Sequence, residues 1–106
     1  MFARSVSMHL KANNVTEFTR ALENEIIPLL RKQKGFQDEI TLVAPGGLEA
    51  IGISFWDQKE NAEAYSRTTY PEVQKALAKV VEGTPQVQNY EVSNSTFHKI
   101  AARVAA

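Results

Sequence analysis

The sequence predicts a ferredoxin-like α+β fold, in which a four-stranded antiparallel sheet carries its helices on one face. Three observations predict it. Four segments have the alternation or β-branched content of strands, two helical patterns separate them in the order βαββαβ, and 106 residues suit one hydrophobic core. We therefore expect a single domain over residues 1–106.

Residues 2–10 are predicted to form the first strand, and a long helix follows. Apolar side chains take every second position of this strand except at Arg4, while small and polar residues take the other face. An Asn-Asn pair then offers an N-cap, and apolar residues recur at helical spacing to about residue 34, before Gly35. Pro28 lies inside this helix, so we expect a kink there, either as curvature around the sheet or as a device that holds open a cavity beneath the helix.

Residues 39–43 and 48–56 are predicted to form a hairpin. Both segments are rich in β-branched and aromatic residues, and Ala-Pro-Gly-Gly at 44–47 suits the turn between them. In the second strand one face carries bulky side chains and the other only small residues, which are Ala50, Gly52 and Ser54. A large group could approach the side with the small residues.

A helix in two pieces and a fourth strand are predicted for the rest of the chain. Asp57 and Glu60 resemble a capping box for a short helix to about residue 66. A second piece from Pro71 has an apolar stripe that includes Val80 and Val81 and stops at Gly83. Residues 86–93 alternate as a strand, and the tail after them fits either a helix or a strand extension that reaches a partner subunit.

Composition excludes several classes of function. Twelve Lys and Arg balance twelve Asp and Glu, whereas nucleic-acid binding needs a basic surface. No apolar run approaches the ~20 residues that span a bilayer, and no leader-like segment opens the chain, so we expect a cytoplasmic protein without membrane contact. With no Cys and only two His, we expect neither a metal nor another cofactor.

Helices on one face of a sheet leave the other face uncovered. The small residues of the third strand suggest that both faces are suited to close packing, and a two-fold partner is the commonest cover for such a face. We therefore expect a homodimer formed through the sheet face.

Short motifs along nearly the whole chain resemble the antibiotic biosynthesis monooxygenase family. They are Asn-Asn-Val-x-x-Phe from residue 13, Pro-Leu-Leu-Arg from 28, Lys-Gly-Phe from 34, Ser-Phe-Trp-Asp from 54, Tyr-Pro-Glu-Val from 70 and Gln-Asn-Tyr-Glu-Val from 88. The resemblance implies a dimeric α/β barrel with a pocket between sheet and helices. It also implies, for some relatives, the oxidation of polycyclic phenols without metal or flavin.

Haem cleavage, the activity of other relatives, is disfavoured by residues that differ from the family pattern. The resemblance places an Asn on the first strand and a Trp and a His in the second helical region of haem-cleaving members. Here Val6 and Tyr65 take the first two places, and Gln74 or Lys75 takes that of the His. None of them is a comparable axial ligand.

Four residues are candidates for binding a small-molecule ligand. Trp56 could line a pocket mouth and stack on a flat substrate, or it could seal the seam between helix and sheet. Tyr65 and Tyr70 flank the helix break and could donate to a substrate oxygen, or simply bury their rings. Arg4 could meet an anionic substrate, but near the terminus we expect it to snorkel into solvent.

Two further candidates have open alternatives. His9 shares a face with Ser5 and Ser7, which suggests a subunit contact, yet it would suit proton transfer if that face lined the cavity. Asn89 could place its carboxamide against a ligand or against a neighbouring strand. We found no well-placed acid–base pair.

Two functions are therefore expected from the sequence. The first is a cofactor-independent monooxygenase that acts on a small aromatic or quinol-type substrate. The alternative is a non-catalytic small-molecule-binding or stress-response barrel, because fold does not determine function.

Overall fold

The computed structural model describes residues 1–97 and has the predicted order of elements. The strands are β1 (Phe2–Leu10), β2 (Phe36–Val43), β3 (Glu49–Trp56) and β4 (Val81–Glu91), and the helices are α1 (Val15–Ala21), α2 (Ile27–Arg31), α3 (Lys59–Thr68) and α4 (Tyr70–Leu77). The sheet order is β2-β3-β1-β4 and every neighbouring pair is antiparallel. This is the ferredoxin-like topology. The helix-or-strand prediction for the tail beyond Phe97 lies outside the described residues.

The first helical region is not one kinked α-helix. A π-helical segment, Leu22–Ile26, joins α1 to α2 and ends just before Pro28. Proline has no N–H and its ring clashes with the carbonyl four residues earlier, and a wider turn removes both conflicts. The helix ends at Arg31, earlier than predicted, and Gly35 turns the chain with φ of 81°.

The second helical region differs from the prediction at both ends. Asp57 does not cap α3, because its carboxylate accepts a hydrogen bond from the Asn61 side chain at 2.7 Å. α4 ends at Leu77, so Val80 and Val81 are not part of a helical stripe. β4 begins five residues earlier than predicted, at Val81 rather than 86.

Gly83 and Pro85 lie inside β4 rather than ending a helix. The pairing of β4 with β1 shifts between Ser7 and His9, and Gly83 has a φ of 69° beside that bulge. β4 is an edge strand, so a missing proline donor is tolerated there. Sequence periodicity could not show this, because the bulge interrupts the alternation.

The hydrophobic core lies between the sheet and the helices. Trp56 and Phe18 are its largest fully buried side chains. The small residues of β3 face this core. That other side of the sheet, here called the open face, carries Ile40, Leu42, Ile51 and Tyr90, all at least 38% exposed. Among residues 1–97, no helix has the length and apolar character needed to cross a bilayer.

Candidate functional site

A row of polar residues crosses the helix-facing side of the sheet. Register pairs Asn89 of β4 with Arg4 of β1, Arg4 with Ser54 of β3, and Ser54 with Glu39 of β2. Paired Cα atoms are about 4.5–5.5 Å apart, so the Cα atoms of Arg4 and Glu39 are separated by about 10 Å. In the adjacent row, Gly52 of β3 has no side chain to fill the space above it.

A cavity of about 50 Å³ lies above these rows. Its floor is Arg4, Val6, Met8, Glu39, Gly52 and Ser54, and its roof is Leu22, Ile26, Leu30, Tyr65, Tyr70, Val73 and Leu77. This volume has room for water, but it is well below the roughly 150 Å³ of an apolar cavity that binds benzene. An aromatic molecule therefore enters only if the roof moves outward, and the π-helical segment supplies two roof residues, Leu22 and Ile26.

Arg4 is buried and does not snorkel, which corrects the expectation from sequence. It is 4% exposed, and its guanidinium carbon lies 4.1 Å from the ring centroid of Tyr70 and 5.5 Å from that of Tyr65. Snorkelling fails because β1 is a central strand beneath the helices, so no sheet edge is within reach. No carboxylate among residues 1–97 forms an ion pair with Arg4.

Tyr65 and Tyr70 keep their protons at neutral pH. Burial raises the pKa of Tyr65 to about 12, and burial also raises the pKa of Tyr70, against the opposing effect of the Arg4 charge. The two ring centroids are 6.2 Å apart. The Tyr70 hydroxyl is buried beside the Arg4 guanidinium, which can only donate to it, so in the described part of the chain it is a donor without an acceptor.

Glu39 is a site residue that the sequence analysis missed. It is partly buried in the cavity floor, and burial raises the pKa of its carboxyl group, while a hydrogen bond from the Thr41 hydroxyl lowers it. A methyl group added to Gly52 would lie 3.9 Å from Glu39 Oε1, so this oxygen reaches the space over the glycine. The available signal was an acidic residue on the inward face of a strand.

Trp56 does not line the cavity. It is fully buried, its Nε1 donates a hydrogen bond to Ser54 Oγ at 2.9 Å, and its ring meets Phe36 edge-on at 5.7 Å. It also lies 5.1 Å from the ring of Tyr65. Its place is the seam between sheet and α3, where it positions Tyr65.

His9 and Asn89 lie outside the cavity. The His9 side chain is on the open face, 74% exposed, with Nδ1 3.7 Å from a carboxylate oxygen of Glu49. Asn89 is exposed at the β4 end of the polar row. The structure thus brings together Arg4, Tyr65 and Tyr70 of the six predicted candidates.

The site supplies hydrogen-bond donors and one carboxylate rather than a metal cage. Within residues 1–97 no group of three or more His, Asp or Glu side chains could hold a metal ion. The chemistry available from the side chains themselves is anion stabilisation by Arg4 and Tyr70 and proton exchange at Glu39.

Solved structures with the same fold include named monooxygenases. The monooxygenase from the gene ActVA-Orf6 of Streptomyces coelicolor, in complex with nanaomycin D, matches with a TM-score of 0.75 and 12% identity, covering 89% of this chain and 88% of that chain. A candidate antibiotic biosynthesis monooxygenase from Bordetella bronchiseptica matches with a TM-score of 0.73 and 13% identity, covering 86% of this chain and 95% of that chain. Another candidate antibiotic biosynthesis monooxygenase, from Deinococcus radiodurans, matches with a TM-score of 0.72 and 14% identity, covering 90% of this chain and 95% of that chain.

These likenesses confirm the predicted fold and its resemblance to the antibiotic biosynthesis monooxygenases. At such low identity they concern the fold and not the reaction. No protein-family model matches the sequence, and no curated protein matches it either.

Proposed function

We propose that this protein binds a small aromatic or quinol-type molecule as its anion in the cavity and lets it react with O₂ without a cofactor. The observation that carries this proposal is a pair of buried donors facing an apolar space. Arg4 has no carboxylate partner and Tyr70 has no acceptor for its hydroxyl, within the described residues. An anionic oxygen would satisfy both groups, because buried donors and charges are costly when unpaired.

The reaction would need little more than an ionised substrate in a dry site. A naphthol-type phenolate gives electrons to O₂, a ring carbon bonds to oxygen, and the O–O bond of the resulting hydroperoxide breaks. One oxygen atom stays as a quinone carbonyl and the other leaves as water, so phenol plus O₂ becomes quinone plus water. The apolar roof excludes bulk water, and Arg4 and Tyr70 stabilise the anionic oxygen.

Oxygen uptake with a panel of hydroquinones and naphthols tests the proposal. We expect turnover, and we expect Arg4→Gln to lower binding of the active compounds roughly 10- to 100-fold, the value of a hydrogen bond to a charged group. Arg20→Gln is the matched control, since Arg20 is exposed and paired only with Glu17 among the described residues. Neither oxygen consumption nor binding across the panel would refute the proposal.

The small volume of the cavity favours a second candidate, a non-catalytic binding protein. A site of about 50 Å³ that widens to admit an anion would bind it without needing to react. Its signature would be thermal stabilisation by a phenol, without oxygen uptake. The same panel, followed by thermal melting, separates the two candidates.

We also propose that a second copy of the chain covers the open face. Ile40, Leu42 and Ile51 are adjacent through the pairing of β2 with β3, and they expose 40%, 50% and 38% of their surface. A contiguous apolar patch of this kind supports an isologous contact. Sedimentation at micromolar concentration should give about twice the 11.8 kDa chain mass.

A further inference from the structure

We infer that Glu39 is the proton acceptor of this site, and that its ligands are aromatic molecules whose hydroxyl group is conjugated to an oxygen at the opposite end of the ring. This inference rests on the proposed function, because it assigns the proton and the substrate class of the same cavity. Arg4 and Glu39 stand at the two ends of one row of the cavity floor, with Ser54 between them.

The row sets the separation of the two charged groups. Arg4 on β1 and Glu39 on β2 are separated by one intervening strand, β3, which puts their Cα atoms about 10 Å apart. Both side chains are on the helix-facing side of the sheet. The floor between them is low, because Ser54 is small and Gly52 in the adjacent row has no side chain. A flat ring lying along this row would have one end at the guanidinium and the other at the carboxylate.

The Glu39 carboxylate can accept a further hydrogen bond from a ligand. The Thr41 hydroxyl donates to Oε1, and no other hydrogen bond or ion pair to this carboxylate is found among residues 1–97. Oε1 lies over the floor, 3.9 Å from a methyl group added to Gly52. Apart from Arg4 and the two tyrosines, the cavity lining contains no other titratable side chain.

The proton step moves negative charge from the carboxylate to the ligand oxygen that lies beside the guanidinium. The ligand hydroxyl gives its proton to the Glu39 carboxylate, the O–H bond breaks, and a carboxylic acid and a phenolate form. Conjugation then spreads the charge to the oxygen beside Arg4 and Tyr70. The total charge of the cavity is unchanged, so no ion has to enter or leave.

The pKa difference explains why the ligand must be conjugated. A plain phenol titrates near 10 and a glutamic acid near 4.3, a gap of about 6 units that makes the transfer unfavourable. Burial raises the pKa of Glu39, and the charge of Arg4 lowers the pKa of the ligand hydroxyl by stabilising its anion. Both effects reduce the difference between the two pKa values. A hydroxyl conjugated to a carbonyl or nitro group starts with a lower pKa, and such phenols are the class that Glu39 ionises most readily.

The test uses 4-nitrophenol as the probe, because its ionised form absorbs at longer wavelength and its nitro oxygens receive the charge. It is mixed with the full chain below the pH at which the free probe ionises. The absorbance measures the amount of phenolate formed. The binding enthalpy, measured in buffers of different ionisation enthalpy, gives the number of protons released. We expect wild type to form bound phenolate with close to no proton release.

Glu39→Gln should bind the probe either as the neutral phenol or as phenolate with one proton released for each molecule. Glu49→Gln is the matched control and should behave as wild type, since Glu49 is exposed and outside the cavity. If Glu39→Gln does not fold, the wild-type proton count decides alone, and Glu39→Asp should retain phenolate formation without release.

Three results would overturn the inference, and they differ in what else they affect. Wild type that binds phenolate and releases one proton to buffer, or a Glu39→Gln variant with wild-type behaviour, removes the role of Glu39 and leaves anion binding at Arg4 intact. Wild type that binds neither 4-nitrophenol nor any phenol of the oxygen-uptake panel removes both proposals.

Discussion

The guanidinium of Arg4 lies over the ring of Tyr70, 4.1 Å from its centroid, while the Tyr70 hydroxyl in the same cluster has no acceptor for its proton among the described residues. The ring stabilises the cation without neutralising it, because a cation–π contact supplies about 2 kcal/mol when desolvated, against several for removing the ion from water. Arg4 and Tyr70 could therefore bind an external anion, because no carboxylate among residues 1–97 is paired with them.

Replacing Arg4 should separate stability from binding. In Arg4→Met we expect the free energy of unfolding to stay the same or rise, because the desolvation cost of the ion exceeds the lost cation–π energy. Binding of anionic phenols should fall roughly 10- to 100-fold. Urea denaturation and ligand titration measure the two effects. A large loss of stability would mean that Arg4 is a structural residue with an unrecognised partner.

Removing the Tyr70 hydroxyl should act in the same direction. Tyr70→Phe deletes an unsatisfied buried donor, whose burial costs about 1–3 kcal/mol, so the unliganded protein should become no less stable. Its affinity for anionic ligands should fall roughly 10- to 100-fold, the value of one hydrogen bond to a charged group. Tyr90→Phe is the control, since Tyr90 is exposed on the open face. Equal affinity in both variants would exclude Tyr70 from the binding site.

Glu39 should make stability depend on pH. Burial raises the pKa of Glu39 in the folded state above its unfolded value, so the folded chain holds the proton more tightly. Its contribution is therefore fully present below the unfolded pKa, about 4.3, and is lost as pH rises through the raised folded value. Urea denaturation should show Glu39→Gln equal to wild type near pH 4 and more stable near pH 7. The opposite trend would indicate an unrecognised cationic partner.

Widening the roof should improve binding while weakening the fold. Ile26→Ala removes a buried roof side chain, so it should cost about 2–5 kcal/mol of stability and enlarge the cavity. Because ring entry requires this space, affinity for aromatic ligands should rise. Leu10→Ala is the matched control, being equally buried but outside the cavity lining, and should lose stability with no gain in affinity. A gain in both variants would point to general loosening.

A charge on the open face should break the proposed dimer. Ile51 and Val87 are both 38% exposed, but they lie on opposite faces of the sheet. Ile51→Lys should shift sedimentation from dimer to monomer, because it buries a charge in an apolar contact, whereas Val87→Lys should leave the dimer unchanged. A wild-type monomer, or equal effects of the two variants, would contradict the proposed contact.

Local sequence signals determined most elements of this fold. The alternation of residues 2–10 predicted β1 at its observed bounds, and the Ala-Pro-Gly-Gly turn predicted the hairpin between β2 and β3. The predictions were wrong where one local signal is compatible with two kinds of secondary structure. Gly83 and Pro85 end helices in most contexts, but an edge strand with a bulge accepts both.

The site was decided by tertiary structure. Alternation placed Arg4 on the apolar face of its strand, but its burial follows from the central position of β1 under the helices. Glu39 became a site residue only through register, which set it in one row with Ser54 and Arg4. Side-chain periodicity is a property of a single segment, whereas register is selected by the packing of all segments together. Sequence alone therefore predicted the fold and three of the residues at the cavity, and the assembled sheet determined which groups face one another across it.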